Sequence, residues 1–494
     1  MNTYNRRQFS DKWMSRLHIP LSSILLLTIS LLPSVRVAAT EAPSEIRVAR
    51  QVTKKAPATK TPTTKTLKTA RDFYNRAMRR FRDRDRVGAI ADFDRAIALQ
   101  ANFVDAYNNR GIVKGLNGDS AGAIADYTSA LALNPKFFEA YANRGFARLN
   151  TGDRAGALAD FQAARAIKST DPQIAIGKGI VLSQNGDKQG AIASYTKAIQ
   201  LDPKNVDAYY NRGIAKLDLS DNTGAIADFE RAIALRPNYA KAYNGRGKAR
   251  ELMGDSQGAL ADFNRAIALN PNSSNVYFNR ASAQNSLGNR TGAISDYNRV
   301  ASINPTDAFA FFNRAIIKAE NGDKTQAIAD YTTALKLNPK LVEAYNNRGI
   351  LYSSIGNRQA AIADYTRAIQ LRPNYATAYL NRGIVYYAAG DYNKAVADYT
   401  QGIAADPKNA ELYFNRGVSL AQLREYQKAL ADYNTAIRLQ PNNALAYSNR
   451  GLLHAQLQAN PAATEDLKTA ARLFQAQNNQ AGYESVMRRL ERLK

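Results

Sequence analysis

The sequence predicts an all-α solenoid of about twelve helical hairpins closed by a C-terminal capping helix. Three observations predict it. A period of 34 residues runs from 70 to 477 without an insertion, apolar residues recur at spacings of three and four on both sides of a short Gly-Asp turn, and proline returns near the end of most periods.

Residues 1–39 come first and read as an export signal. Arg6, Arg7, Lys12 and Arg16 precede an apolar run from Leu17 to Leu32, and Val37, Ala38 and Ala39 are the small residues a signal peptidase reads, so cleavage before Thr40 is expected. Pro20, Ser22, Ser23 and Ser30 break the run, which is shorter than the roughly 20 apolar residues of a spanning helix. An uncleaved membrane anchor at residues 17–32 is the alternative. Asn5-Arg6-Arg7-Gln8-Phe9 also looks like a twin-arginine signal, with Ser10 where that motif prefers an apolar residue. Residues 40–69 follow as a basic Thr/Lys/Pro linker, with Lys54, Lys55, Lys60, Lys65 and Lys68 and too little apolar surface to fold.

The repeats occupy residues 70–477. With Val104 as repeat residue 1, an aromatic stands at residue 4 (Tyr107, Tyr141, Tyr345, Tyr413), Gly or Ala at residue 8, Ala at residue 20 throughout, Tyr or Phe at residue 24 except for Leu467 in the last repeat, and usually Ala at residue 27. Small residues at 8 and 20 let two antiparallel helices approach, and the ring at 24 fills the space between them. Pro135, Pro203, Pro339 and their equivalents are expected to end the second helix, since proline lacks an amide donor and clashes with the preceding turn. A hairpin of this kind cannot bury its own apolar face and depends on its neighbours, so the ends need caps. Residues 478–494 supply one, with Tyr483, Val486, Met487, Leu490 and Leu493 at helical spacing.

This order of aromatic, Gly, Ala, aromatic, Ala and Pro resembles the tetratricopeptide repeat over about four-fifths of the chain. The resemblance implies a right-handed superhelix whose first helices line a concave face, and a protein that binds other polypeptides. One departure is repeat residue 7, often Leu in that family but Arg here in every repeat except the fourth, which has Lys178. Repeat residue 23 is Asp in the same repeats, from Asp92 to Asp466, and Ser194 in the fourth. The matched exception predicts an ion pair across each hairpin with a structural role.

Repeat residue 6 is the candidate binding position. It is Asn75, Asn109, Asn143, Asn211, Asn279, Asn313, Asn347, Asn381, Asn415 and Asn449, interrupted only by Gly177 and Gly245. The repeats of protein O-linked sugar transferases are similar in carrying an asparagine ladder, which implies a hold on the main chain of extended peptides. A carboxamide offers one acceptor and two donors and so suits peptide N–H and C=O groups whatever the side chains. The competing reading is that these residues merely cap or solvate the helix face. Repeat residue 5 supplies candidate groove aromatics, Tyr74, Tyr210, Phe278, Phe312 and Phe414, with Leu380 beside them; Ile112, Ile316 and Ile350 at residue 9 are expected to pack between repeats.

Composition excludes most other chemistry. Without cysteine there is no disulfide, thiolate metal site or cysteine nucleophile, and the two histidines, His18 and His454, lie at opposite ends of the chain. No enzyme, metal site or cofactor is expected. Of the net charge of +25, roughly a third precedes residue 70 and the rest is interleaved with Asp, so a nucleic-acid partner is not expected either. The sequence thus points to a polypeptide-binding scaffold exported to a bacterial periplasm or envelope. A structural spacer without a peptide groove, or a regulatory subunit of a separately encoded enzyme, is the alternative.

Overall fold

In a computed structural model the chain is described from residue 68 to 493. The expected leader, and all but the last two residues of the expected linker, lie outside the described residues. Among the described residues there are twenty-five helices and no strand. Twelve hairpins follow one another, each with its first helix starting at repeat residue 1 and its second at residue 17, as in Val104–Leu116 followed by Ser120–Leu133. A last helix, Gln480–Glu491, follows them. By its contacts the chain divides into two compact units between Asp296 and Tyr297, inside the helix Arg290–Ile303.

The turn within each hairpin explains the Gly-Asp pair. Gly118 stands at φ 88°, a left-handed conformation that glycine adopts without a Cβ clash. Asp119 then caps the second helix, its Oδ1 accepting from Gly122 N–H at 2.8 Å. Inside the hairpin, a Cβ on Gly111 would fall 2.8 Å from the Tyr127 ring, so residue 8 must be small for the ring at residue 24 to lie between the helices. Ala123, Tyr127 and Ala130 are accordingly buried.

Proline does less than expected. The second helix ends at residue 30 in the first and third repeats, at Leu99 and Ile167, although Ala101 and Ser169 stand where nine repeats have proline; in the twelfth, with Gln475 there, it runs on to Ala476. A backbone turn follows the helix end at most junctions. In the second repeat Asn134 N–H bonds Ala130 O at 2.9 Å, and Phe137 N–H bonds Asn134 O at 3.1 Å. Proline two residues beyond the helix only prevents continuation.

Each unit has its core between successive hairpins. In the N-terminal unit Phe146, Phe161, Ile174, Ile180 and Tyr195 share one cluster across the third and fourth repeats. In the C-terminal unit Leu380, Tyr399, Leu412, Phe414 and Tyr433 do the same across the tenth and eleventh. Val486 of the last helix is buried among Leu467, Ala470 and Phe474, covering the apolar face that a thirteenth hairpin would otherwise have to cover.

Candidate functional site

The ion pair at repeat residues 7 and 23 is bidentate. Arg348 Nε and Nη2 bond Asp364 Oδ2 and Oδ1 at 2.8 and 2.7 Å, and the same arrangement recurs from Arg76–Asp92 to Arg450–Asp466. The carboxylates are buried, and each guanidinium lies over the ring at residue 4, as Arg110 does over Tyr107 at 5.5 Å. Burial pushes the Asp364 carboxyl above its usual range against the pull of Arg348. The fourth repeat lacks the pair, and Ser194 Oγ bonds its own helix at Gly190 O, 2.9 Å away.

The remaining guanidinium nitrogen reaches the preceding repeat. Arg348 Nη1 bonds Thr332 Oγ1 at 2.9 Å, Arg110 bonds Asp94 at 2.6 Å, Arg280 bonds Asn264 at 2.7 Å, and Arg416 bonds Thr400 at 3.1 Å. From the second repeat on, each arginine at residue 7 therefore joins two helices of its own repeat and one of its neighbour. Sequence reasoning missed this third contact, although its signal, a polar residue at repeat residue 25, is visible in Asp94, Thr128, Thr196, Asn264 and Thr400. With its carboxylate and hydroxyl partners in place, the arginine row is a structural staple.

The ladder asparagines divide by access. Asn347, Asn381, Asn415, Asn211 and Asn279 are 0, 1, 3, 6 and 8% exposed, whereas Asn109, Asn143, Asn313 and Asn449 are half-buried and Asn75 is open. Many reach back to residue 5 of the preceding repeat. Asn109 Nδ2 donates to the Tyr74 hydroxyl at 2.8 Å, Asn143 to Asn108 Oδ1 at 3.1 Å, Asn279 to Asn244 Oδ1 at 3.0 Å, and Asn381 to Asn346 Oδ1 at 3.0 Å.

An apolar residue 5 removes that partner. Ile176 stands before Asn211, whose Nδ2 is buried without a hydrogen bond among the described residues, whereas a buried Oδ1 without a partner occurs both in Asn415, after Leu380, and in the braced Asn381. Asn347, preceded by Phe312, turns to the Tyr331 hydroxyl at 3.4 Å. Asn313 bonds its own helix at Phe309 O, 2.9 Å away. At the two interruptions a ring replaces the rung: a Cβ on Gly177 would lie 2.3 Å from Phe161, and one on Gly245 2.7 Å from Phe229.

The residue 5 aromatics are placed in the interior, which corrects their reading as groove walls. Tyr210, Phe278, Phe312 and Phe414 are buried, with ring centroids 6.0 Å from Phe229 for Tyr210, 5.7 Å from Tyr331 for Phe312 and 6.1 Å from Tyr433 for Phe414. The same-repeat ring at residue 24 draws them inward, because an aromatic pair buries more apolar area than a solvent-facing ring. Tyr74 alone stays partly open, its hydroxyl pushed up by burial and by nearby Asp105. At residue 9, Ile112, Phe146, Ile316, Ile350, Ile384 and Val418 are buried and Ile214 is partly so.

The sixth repeat breaks this apolar row. Lys248 stands at residue 9, and Glu251 follows one turn on. Burial pushes the Glu251 carboxyl up, against a hydrogen bond from Ser282 and the charge of Lys248; burial likewise pushes the Lys248 ammonium down. Among the described residues no cluster of acidic or histidine side chains is arranged to hold a metal ion.

Comparison with known proteins places the pattern. A model described as tetratricopeptide repeat matches residues 117–172, 210–273, 244–308, 380–444 and 414–478. Two further models, described as TPR repeat and tetratricopeptide repeat, match 179–220 with 317–356, and 342–375. Among solved structures the chain is similar to the Cut9–Hcn1 hetero-tetramer of APC/C, at 14% identity over 86% of this chain and 96% of that one, with a TM-score of 0.43. It is also similar to yeast Tom70, at 16% identity over 86% and 95% with a TM-score of 0.35, and to MamA, at 28% identity over 33% and 95% with a TM-score of 0.31. No curated protein sequence matches it. With the first model alone spanning just over half of its length, and the hairpin packing described above, this chain belongs to the tetratricopeptide repeat family.

Proposed function

We propose that this protein is a scaffold without catalytic activity that binds extended polypeptides along its first helices, in the envelope of a bacterium. The observation that carries the reading is the run Asn75, Asn109 and Asn143. These three carboxamides stand at the same position of successive first helices, and all keep some access to solvent. Asn109 and Asn143 each spend one N–H on the preceding repeat, which fixes the rotamer and leaves the other N–H and the acceptor oxygen for a ligand main chain. Their likeness to the asparagine ladder of O-linked sugar transferases supports the same mode. The basic and apolar leader, from Arg6 to Ala39, supports export.

A second reading, a spacer without a groove, is favoured over repeats nine to eleven by the closure of Asn347, Asn381 and Asn415. The two readings separate in one experiment. The full chain and an Asn75→Ala, Asn109→Ala, Asn143→Ala variant of equal helical content are immobilised and exposed to envelope extract. Loss of partners from the variant alone supports peptide capture on the first helices; equal recovery overturns it and leaves the spacer.

A further inference from the structure

The ties between neighbouring repeats come in three kinds, and each can be followed along the N-terminal unit. The first is the arginine staple, which joins residue 7 to residue 25 of the preceding repeat: Arg110 to Asp94, Arg144 to Thr128, Arg212 to Thr196, Arg246 to Glu230 and Arg280 to Asn264. The second is the asparagine brace at residue 6. The third is the turn leading into each new hairpin, closed by a backbone bond of about 3 Å at Phe103–Gln100, Phe137–Asn134, Asn205–Asp202 and Tyr239–Arg236.

Between the third and fourth repeats all three lapse together. Lys178 replaces the arginine, Gln162 replaces its partner across the junction, and Ser194, which should anchor it, bonds its own helix instead. Gly177 has no side chain to reach back with. The turn runs through Lys168, Ser169, Thr170 and Asp171 without proline, and no hydrogen bond joins Asp171 N–H to Lys168 O; Asp171 serves only to cap the next helix through Gln173 N–H at 2.8 Å. What remains is apolar packing of Phe146, Leu149 and Phe161 against Ile174, Ile180 and Val181.

No other junction of this unit shows the coincidence. The first repeat also lacks proline, but keeps the Arg110 staple, the Asn109 brace and the closed turn. The sixth has glycine at residue 6 but keeps Arg246 on Asp262 and Glu230.

Hydrogen bonds fix distance and angle, whereas apolar contact is non-directional and lets two surfaces roll on one another. In a linear array, where each repeat touches only its neighbours, the interface with the fewest directional ties bends and opens first. We infer that the junction of the third and fourth repeats, residues 168–194, is a built-in flexion joint about which repeats one to three swing as a block against repeat four. The block that swings is the one carrying Asn75, Asn109 and Asn143, although the inference does not depend on what those residues bind.

Hydrogen exchange on the full chain tests it. Amides of residues 168–171 and of the helix Pro172–Gln184 should exchange about tenfold faster than their equivalents at 202–205 and Val206–Asp218. The variant Gln162→Thr, Lys178→Arg, Ser194→Asp rebuilds the staple and should slow the fast amides to the rate of their neighbours. A reciprocal variant, Thr196→Gln, Arg212→Lys, Asp228→Ser, removes the staple one junction along and should create a second fast segment there, which keeps the test intact if the first variant fails to fold. Equal protection at the two junctions of the unmodified chain overturns the inference. So does a fast segment at 168–171 with no new one in the reciprocal variant, since the ties would then not set the flexibility.

Discussion

Asn381 donates its carboxamide N–H to Asn346 Oδ1 across 3.0 Å, joining residue 6 of one repeat to residue 5 of the repeat before it, and both side chains are buried. A ladder that the sequence presents as a row of ligand-binding groups therefore also braces the array. The brace forms where a Tyr or Asn at residue 5 is followed by an asparagine in the next repeat, and fails where residue 5 is Ile, Leu or Phe.

Removing a brace should cost more than removing an unpaired rung of the same size. Asn346→Ala deletes the acceptor of Asn381 and strands its buried N–H, whereas Asn415→Ala deletes a carboxamide whose Oδ1 already lacks a partner. The volume lost is equal, so the difference reports the brace together with the bond that Asn346 Nδ2 donates to Asn347 Oδ1 at 3.3 Å. Urea denaturation should show Asn346→Ala to be the less stable by about 1–3 kcal/mol. Equal midpoints would mean that the contact contributes nothing.

The staple yields a sharper test. Asp364→Ala leaves the Arg348 guanidinium half-buried beside Thr332 with no carboxylate, a change that costs about 3–5 kcal/mol when the surviving charge cannot reach water. Replacing Arg348 and Asp364 together by Ala removes the stranded charge, so the double variant should unfold at a higher denaturant concentration than the single one. If the two unfold together, the guanidinium is simply rehydrated and the pair is a surface feature.

Much of the fold was legible because its determinants are local and repeated. Ala at residue 20 and a ring at residue 24 recur in step, so the two faces of each hairpin follow from spacing alone, as does the coincidence of Lys178 with Ser194. The candidate site was less so. Whether Asn347 or Phe312 faces solvent depends on how closely successive first helices approach, which no single repeat encodes. The third contact of the arginines was readable but spans two repeats, from residue 25 of one to residue 7 of the next, and escapes a reading taken repeat by repeat.

The two glycines in the ladder show the same dependence on neighbours. Restoring the consensus by Gly245→Asn would set a Cβ 2.7 Å from the Phe229 ring, closer than real contacts allow. The variant should lose about 1–3 kcal/mol through overpacking, and the same Gly245→Asn change should cost less when it is made in a Phe229→Ala background, measured against Phe229→Ala alone. A stabilised single variant would show instead that the ring moves aside freely.

Glu251 predicts a pH dependence of known sign. Its carboxyl is pushed above the ordinary value mainly by burial, so the folded state holds this proton at pH values where the unfolded chain has released it. Stability from this group is therefore present in full below the unfolded carboxylate value and declines as pH rises through the raised one. Glu251→Gln keeps the neutral form at every pH and can retain a hydrogen bond with Ser282. Across a denaturation series from pH 4 to pH 8, the variant should gain on the unmodified protein as pH rises and lose that advantage at the acid end. A constant difference would place the titration elsewhere, and the reverse slope would mean that Lys248 holds Glu251 ionised in the folded state.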